Sequence, residues 1–103
     1  GENMQLFNDA VDNLNKAKGI YNRLVEYRNN NFLPEQTKEE TGDLFASIDK
    51  LLATAYKQLE GIGKKAENYQ YDTDALKESL DTLSAKTNEQ KDYFKNNLAA
   101  GKK

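Results

Sequence analysis

The chain has no cysteine, no histidine and no tryptophan, and a single proline, Pro34. Each absence excludes something. Without cysteine there is neither a disulfide framework nor a thiolate metal site, and the redox compartment is left open. Without histidine the usual general base at neutral pH and the commonest metal ligand are both missing, so no Ser-His-Asp or Cys-His arrangement can be assembled. A di-iron bundle, which needs Glu-x-x-His pairs pointing inward, goes with it. No run approaches the roughly 18 to 20 apolar residues of a membrane span, and no apolar segment behind a basic start resembles a signal peptide.

What is present suits helices. At 103 residues the length matches one domain with one core, taken as residues 1–103. The hydrophobic share is 37% and the mean hydropathy −0.96, yet the 31% charged residues carry both signs and leave a net charge of only −2. A disordered chain combines low hydrophobicity with large net charge, and this one does not. Abundant Leu, Ala, Lys, Glu and Asp fit long solvated helices with one apolar stripe each. The start, Gly1-Glu2-Asn3-Met4, carries the leading Gly that tag removal leaves, and an internal start of that kind tilts the expectation toward an exported or cell-envelope protein.

Apolar residues recur at alternating steps of three and four in three series, the mark of helix faces packed on one another. The first runs Met4, Phe7, Val11, Leu14, Lys18, Tyr21, Val25, Arg28, flanked by Ala10, Ala17, Ile20 and Leu24. The second is Thr41, Phe45, Ile48, Leu52, Ala55, Leu59, Ile62, Ala66, Tyr69, and the third Thr73, Leu76, Leu80, Leu83, Thr87, Gln90, Phe94, with Leu98 closing it. Breaks fall at Asn29 to Pro34, where Asn favours turns and the residue before Pro leaves the helical region, and at Asn68 to Asp74. Thr37-Lys38-Glu39-Glu40 has the form of a capping box, and Asp72 or Thr73 can cap the third helix. The predicted elements are helices over about 4–29, 38–67 and 73–99, with connections short enough to make neighbours antiparallel. The fold class is therefore all-α, an antiparallel up-down-up three-helix bundle with long helices. Its alternative has four helices, the second broken near Gly61 and Gly63, each of which costs about 1 kcal/mol in a helix interior relative to Ala. The unbroken seam through Ile62 favours three.

Carboxylate chemistry finds no foothold, since none of the seventeen acids sits on an apolar seam where burial would raise its pKa. Glu39-Glu40 and Asp72/Asp74 fall at helix starts, where they complement the dipole. Asp72-Thr73-Asp74 lacks the Gly and the terminal Glu of a calcium-binding EF-hand loop. Gly61-Ile62-Gly63-Lys64-Lys65 lacks the spacing of a phosphate-binding loop. A nucleic-acid surface would show a basic stripe, and the lysines here are dispersed with only two Arg. Mixed charge on the outer faces also argues against an amphipathic membrane helix.

Two features stand out. Lys18 and Arg28 on the first seam, with Thr87 and Gln90 on the third, form a possible polar layer that sets register while its long side chains reach water. Phe32-Leu33 at one turn and Tyr69 with Tyr71 at the other place aromatic and apolar contacts at the bundle ends, the candidate binding residues. In length and helical pattern the chain resembles the three-helix modules of spectrin-type and bacterial surface proteins, with no motif matched residue by residue. The missing Trp excludes the helical-hairpin proteins of the Trp-x-Gly type. The expectation is a non-catalytic module, a spacer, scaffold or protein-binding domain of a larger or exported protein, monomeric when isolated, without cofactor, metal or nucleic acid. A small-ligand carrier with a gap between helices near Thr87 and Gln90 is the alternative.

Overall fold

The computed structural model describes residues 2–29, 35–62 and 72–100, and these form three α-helices and no strand. They are α1 (Glu2–Asn29), α2 (Glu35–Gly61) and α3 (Thr73–Ala100). At 1.5 Å per residue each helix spans roughly 40 Å, and the molecule measures 55 × 18 × 17 Å.

Direction follows from which residues meet. Leu6 lies over Gly61, Asn13 bonds Gln58 and Arg23 faces Glu40, so numbers fall on α2 as they climb on α1. Phe45 touches Phe94 while Tyr56 bonds Asp81, so α2 and α3 also oppose one another. Tyr21 meets Lys86 and Arg28 meets Gln90, which makes α1 and α3 parallel. The result is the up-down-up bundle expected from the seams.

The core comprises Ala10, Leu14, Ala17 and Leu24 of α1, Ile48, Leu52 and Ala55 of α2, and Leu76, Leu80, Leu83 and Phe94 of α3. For α2 and α3 these are the predicted seams. For α1 the seam is turned by about one residue from the predicted series. Phe7, Leu14 and Tyr21 belong to both, but Ala10, Ala17 and Leu24 are buried where Val11, Lys18 and Val25 were expected, and Met4 is 45% exposed. The reason is size. Small side chains let two helices approach, so the alanine line, not the line of longer side chains beside it, faces α2. Accordingly α1 and α2 pack against each other more closely than either packs against α3.

Helix ends depart from expectation by a few residues. α1 begins at Glu2 instead of Met4, and α2 begins at Glu35, so Thr37 lies inside the helix and does not cap it. α2 ends at Gly61, with a bend at Ile62 whose amide donates to the Leu59 carbonyl at 3.1 Å. The described helix therefore stops where the glycines begin, as their weak helix propensity dictates. Ile62 is still buried. The predicted continuation over 63–67, including Ala66, lies outside the described residues, as does Tyr69 of the same seam. At the start of α3, Asp72 is the cap: its Oδ1 accepts from the Ala75 amide at 3.0 Å and its carbonyl from the Leu76 amide at 3.1 Å.

Candidate functional site

The four candidate binding residues at the bundle ends, Phe32, Leu33, Tyr69 and Tyr71, lie outside the described residues. The four residues of the polar layer are described, and the structure brings two of them together. Arg28 Nη1 donates to Gln90 Oε1 at 3.3 Å, and Gln90 Nε2 donates to the Tyr21 hydroxyl at 3.4 Å. Both bonds are long, which marks them as weak. The Arg28 guanidinium also lies over the Tyr93 ring, 3.9 Å from its centroid, within cation–π range. Behind it Phe94 meets Phe45 and Tyr93 edge-to-face at 5.7 and 5.6 Å. Gln90 is buried, Tyr93 half-buried and Arg28 exposed. This cluster pins the upper half of α3 to α1 and α2.

Thr87 is at the same level but bonds to none of them. It is 1% exposed, and its Oγ1 is buried with no hydrogen-bond partner. A buried hydroxyl in that state costs on the order of 1–3 kcal/mol against a satisfied one. Thr87 and Gln90 are thus packed, not lining a gap. Lys18 departs further from expectation. The seam position beside it belongs to Ala17, and Lys18 itself is exposed.

Lys18 stands instead at an open cleft of about 490 Å³ between α1 and the first half of α3. The α1 wall is Lys18, Tyr21 and Asn22; the α3 wall includes Ser79, Thr82 and Lys86, with Leu83 at its base. Local sequence explains the space. Where α3 carries Tyr93 opposite Arg28 the helices are bridged, but one and two heptads earlier the same line carries Lys86 and Ser79, and Ala75 and Thr82 stand beside it. Short side chains leave the junction unfilled. Lys86 reaches back toward α1, its ammonium 5.7 Å from the Tyr21 centroid.

On the other side of α3 the links go to α2. Tyr56 donates its hydroxyl to Asp81 at 2.5 Å, and Lys77 donates to the same carboxylate at 3.2 Å. Partial burial, the bond to Asp81 and that carboxylate's charge together push the Tyr56 phenol up to about 12. The bonds from Tyr56 and Lys77 hold the Asp81 carboxyl below its ordinary range. Lys91 grips Asp49 through both carboxylate oxygens at 3.0 and 2.8 Å. Among the described residues no group of three acids gathers to hold a metal ion, and no helix is long and apolar enough to cross a membrane.

One surface feature stands apart from the apolar periodicity. Asn8, Asn15, Asn22 and Asn29 are exposed and spaced one heptad apart on the outward side of α1. The spacing is legible once the polar positions are tested for the same period. Asn is among the weaker helix formers, costing up to about 0.7 kcal/mol relative to Ala, so Lys or Glu would serve solubility better. Gly19 lies on the same side, and a Cβ there would meet nothing within 4 Å.

No family model, curated protein or solved structure matches the chain.

Proposed function

We propose that this chain is a non-catalytic helical module that presents the outer faces of a rod to another protein, as a scaffold or binding domain of a larger assembly. The carrying observation is the rod itself: three helices aligned along one axis in an up-down-up bundle, 55 Å long overall, that turn their apolar seams inward and leave polar faces outside. Such an object separates or displays attached parts, and the amide line of α1 offers it a contact face that hydrogen-bonds without charge. A photo-cross-linking side chain placed at Asn8 or Asn15, and separately at Glu89 on α3, tests this in the native cell. Adducts from the α1 positions that converge on one protein, with few from Glu89, support the reading. Adducts from neither helix would overturn it.

A second reading, a small-ligand carrier, is favoured by one observation, the open cleft at Lys18 and Lys86. It lies beside the expected position and not at it, since Thr87 and Gln90 are buried.

A further inference from the structure

We infer that the cleft between α1 and α3 binds a small amphipathic anion, an aromatic or short aliphatic carboxylate or sulfonate. This rests on the carrier reading of the cleft and is independent of the protein-binding role of the outer faces.

The first support is the shape and polarity of the lining. At the base, Leu83 is buried and the Tyr21 ring half-buried, so a flat apolar body laid there would be stripped of water on that side. About 490 Å³ is within the range of small-molecule sites. Asn22, Ser79 and Thr82 add an amide and two hydroxyls around this base. The Tyr21 hydroxyl accepts from Gln90, which leaves its own hydrogen to donate.

The second support is charge. Lys18 comes from one wall and Lys86 from the other, against a single acid, Glu78. The cleft is thus locally positive in a chain whose net charge is −2. Neither lysine is spent on a carboxylate among the described residues. Lys86 leans over the Tyr21 ring, and Lys18 projects beside the Ala17 seam without an ion pair. Arg28, the other cation near this junction, is already committed to Gln90 and Tyr93. An anionic head between Lys18 and Lys86 therefore meets two free donors without breaking an existing pair. Its apolar body fits toward Leu83. A cation would face two like charges.

Three probes of one shape separate the possibilities: naphthalene-1-sulfonate, uncharged 1-naphthol and 1-naphthylmethylammonium, each titrated into isotope-labelled protein and followed by amide chemical shifts. The sulfonate should bind saturably at about 1 mM, the affinity expected of so small a ligand. Shifts should centre on Tyr21, Asn22, Thr82 and Leu83. Lys18→Gln and Lys86→Gln should each weaken it about threefold, and added salt should weaken it further, as for partly exposed ion pairs. Glu78→Gln should tighten it about twofold by removing the opposing charge. All three substitutions fall on exposed side chains, and an unchanged thermal midpoint shows that the variants fold. Equal or tighter binding of the naphthol or the ammonium would overturn the assignment to anions while leaving a ligand cleft. If none of the probes moves those amides, the ligand reading of the cleft fails as well.

Discussion

Helix α1 contributes Ala10, Leu14 and Ala17 to the core alongside Ile48, Leu52 and Ala55 of α2, all buried; toward α3 it presents Tyr21, Arg28 and the exposed Lys18. The first junction is built from small and branched apolar side chains that let the backbones close together. The second is held at one end by an arginine, a glutamine and two aromatic rings, and at the other it opens into the cleft. Two helices of one bundle thus approach closely along their length, while the third adds Leu76, Leu80, Leu83 and Phe94 to the same core at a wider spacing. The three helices are of nearly equal length, so the difference lies in how closely they approach and not in how long they are.

Truncation of equally buried leucines tests this difference most strongly. Leu52 and Leu83 are both 5% exposed. Leu52→Ala, in the dense junction, should cost about 3–5 kcal/mol, and Leu83→Ala, at the base of an open cleft whose walls can collapse inward, about 2–3 kcal/mol. Urea melts of the two variants give the order, and a larger loss at Leu83 would break the comparison. Enlargement should show the opposite asymmetry with smaller numbers. Ala17→Leu forces two closely packed backbones apart and should cost about 1–3 kcal/mol, whereas Ala75→Leu at the cleft should stay within about 0.5 kcal/mol of wild type by the same assay.

A third effect is of opposite sign. Thr87→Val removes a buried hydroxyl that bonds to nothing and keeps the shape, so stability should rise by up to about 1 kcal/mol, read as a higher thermal midpoint. A fall would mean that the hydroxyl is satisfied in solution. The smallest effect concerns the tie from α2 to α3. Tyr56 is raised from 10.0 to about 12 in the folded protein, so its contribution is fully present below pH 10 and is lost as the unfolded chain ionises first, between pH 10 and about 12. Asp81 is lowered from its ordinary 3.8, so its contribution is present above that pH and fades as pH falls further. Tyr56→Phe should cost about 0.5–1 kcal/mol at neutral pH and should remove its share of the alkaline loss, seen by comparing the urea midpoints of the two proteins at pH 8 and 11.

Much of this architecture is written in the apolar periodicity. The seams of α2 and α3 are the predicted ones because their buried residues, from Ile48 to Ala55 and from Leu76 to Phe94, recur at steps of three and four without interruption. The seam of α1 was less legible. A rule that follows large side chains selects Val11 and Lys18, whereas the packing selects Ala10 and Ala17 because their smallness lets α2 come close. That one-residue turn also explains why two cations appeared to lie on a seam. Lys18 stands beside it, and Arg28 lies across its end on Tyr93. The cleft could not be read from either helix alone, since it arises where Ala75, Ser79 and Thr82 of α3 fall opposite Lys18 and Asn22 of α1, a register that only the assembled bundle defines.

Native-state hydrogen exchange tests most directly whether α1 and α2 form the rigid unit and α3 the loosely attached one. Amides around Leu14, Leu24, Ile48 and Leu52 should exchange only through global unfolding, with free energies that match the urea melt. Those from Leu76 to Thr82 should exchange through a cheaper opening, and those near Gln90 and Phe94 should fall between. Uniform protection across all three helices, or weaker protection in α1 than in the first half of α3, would contradict the account.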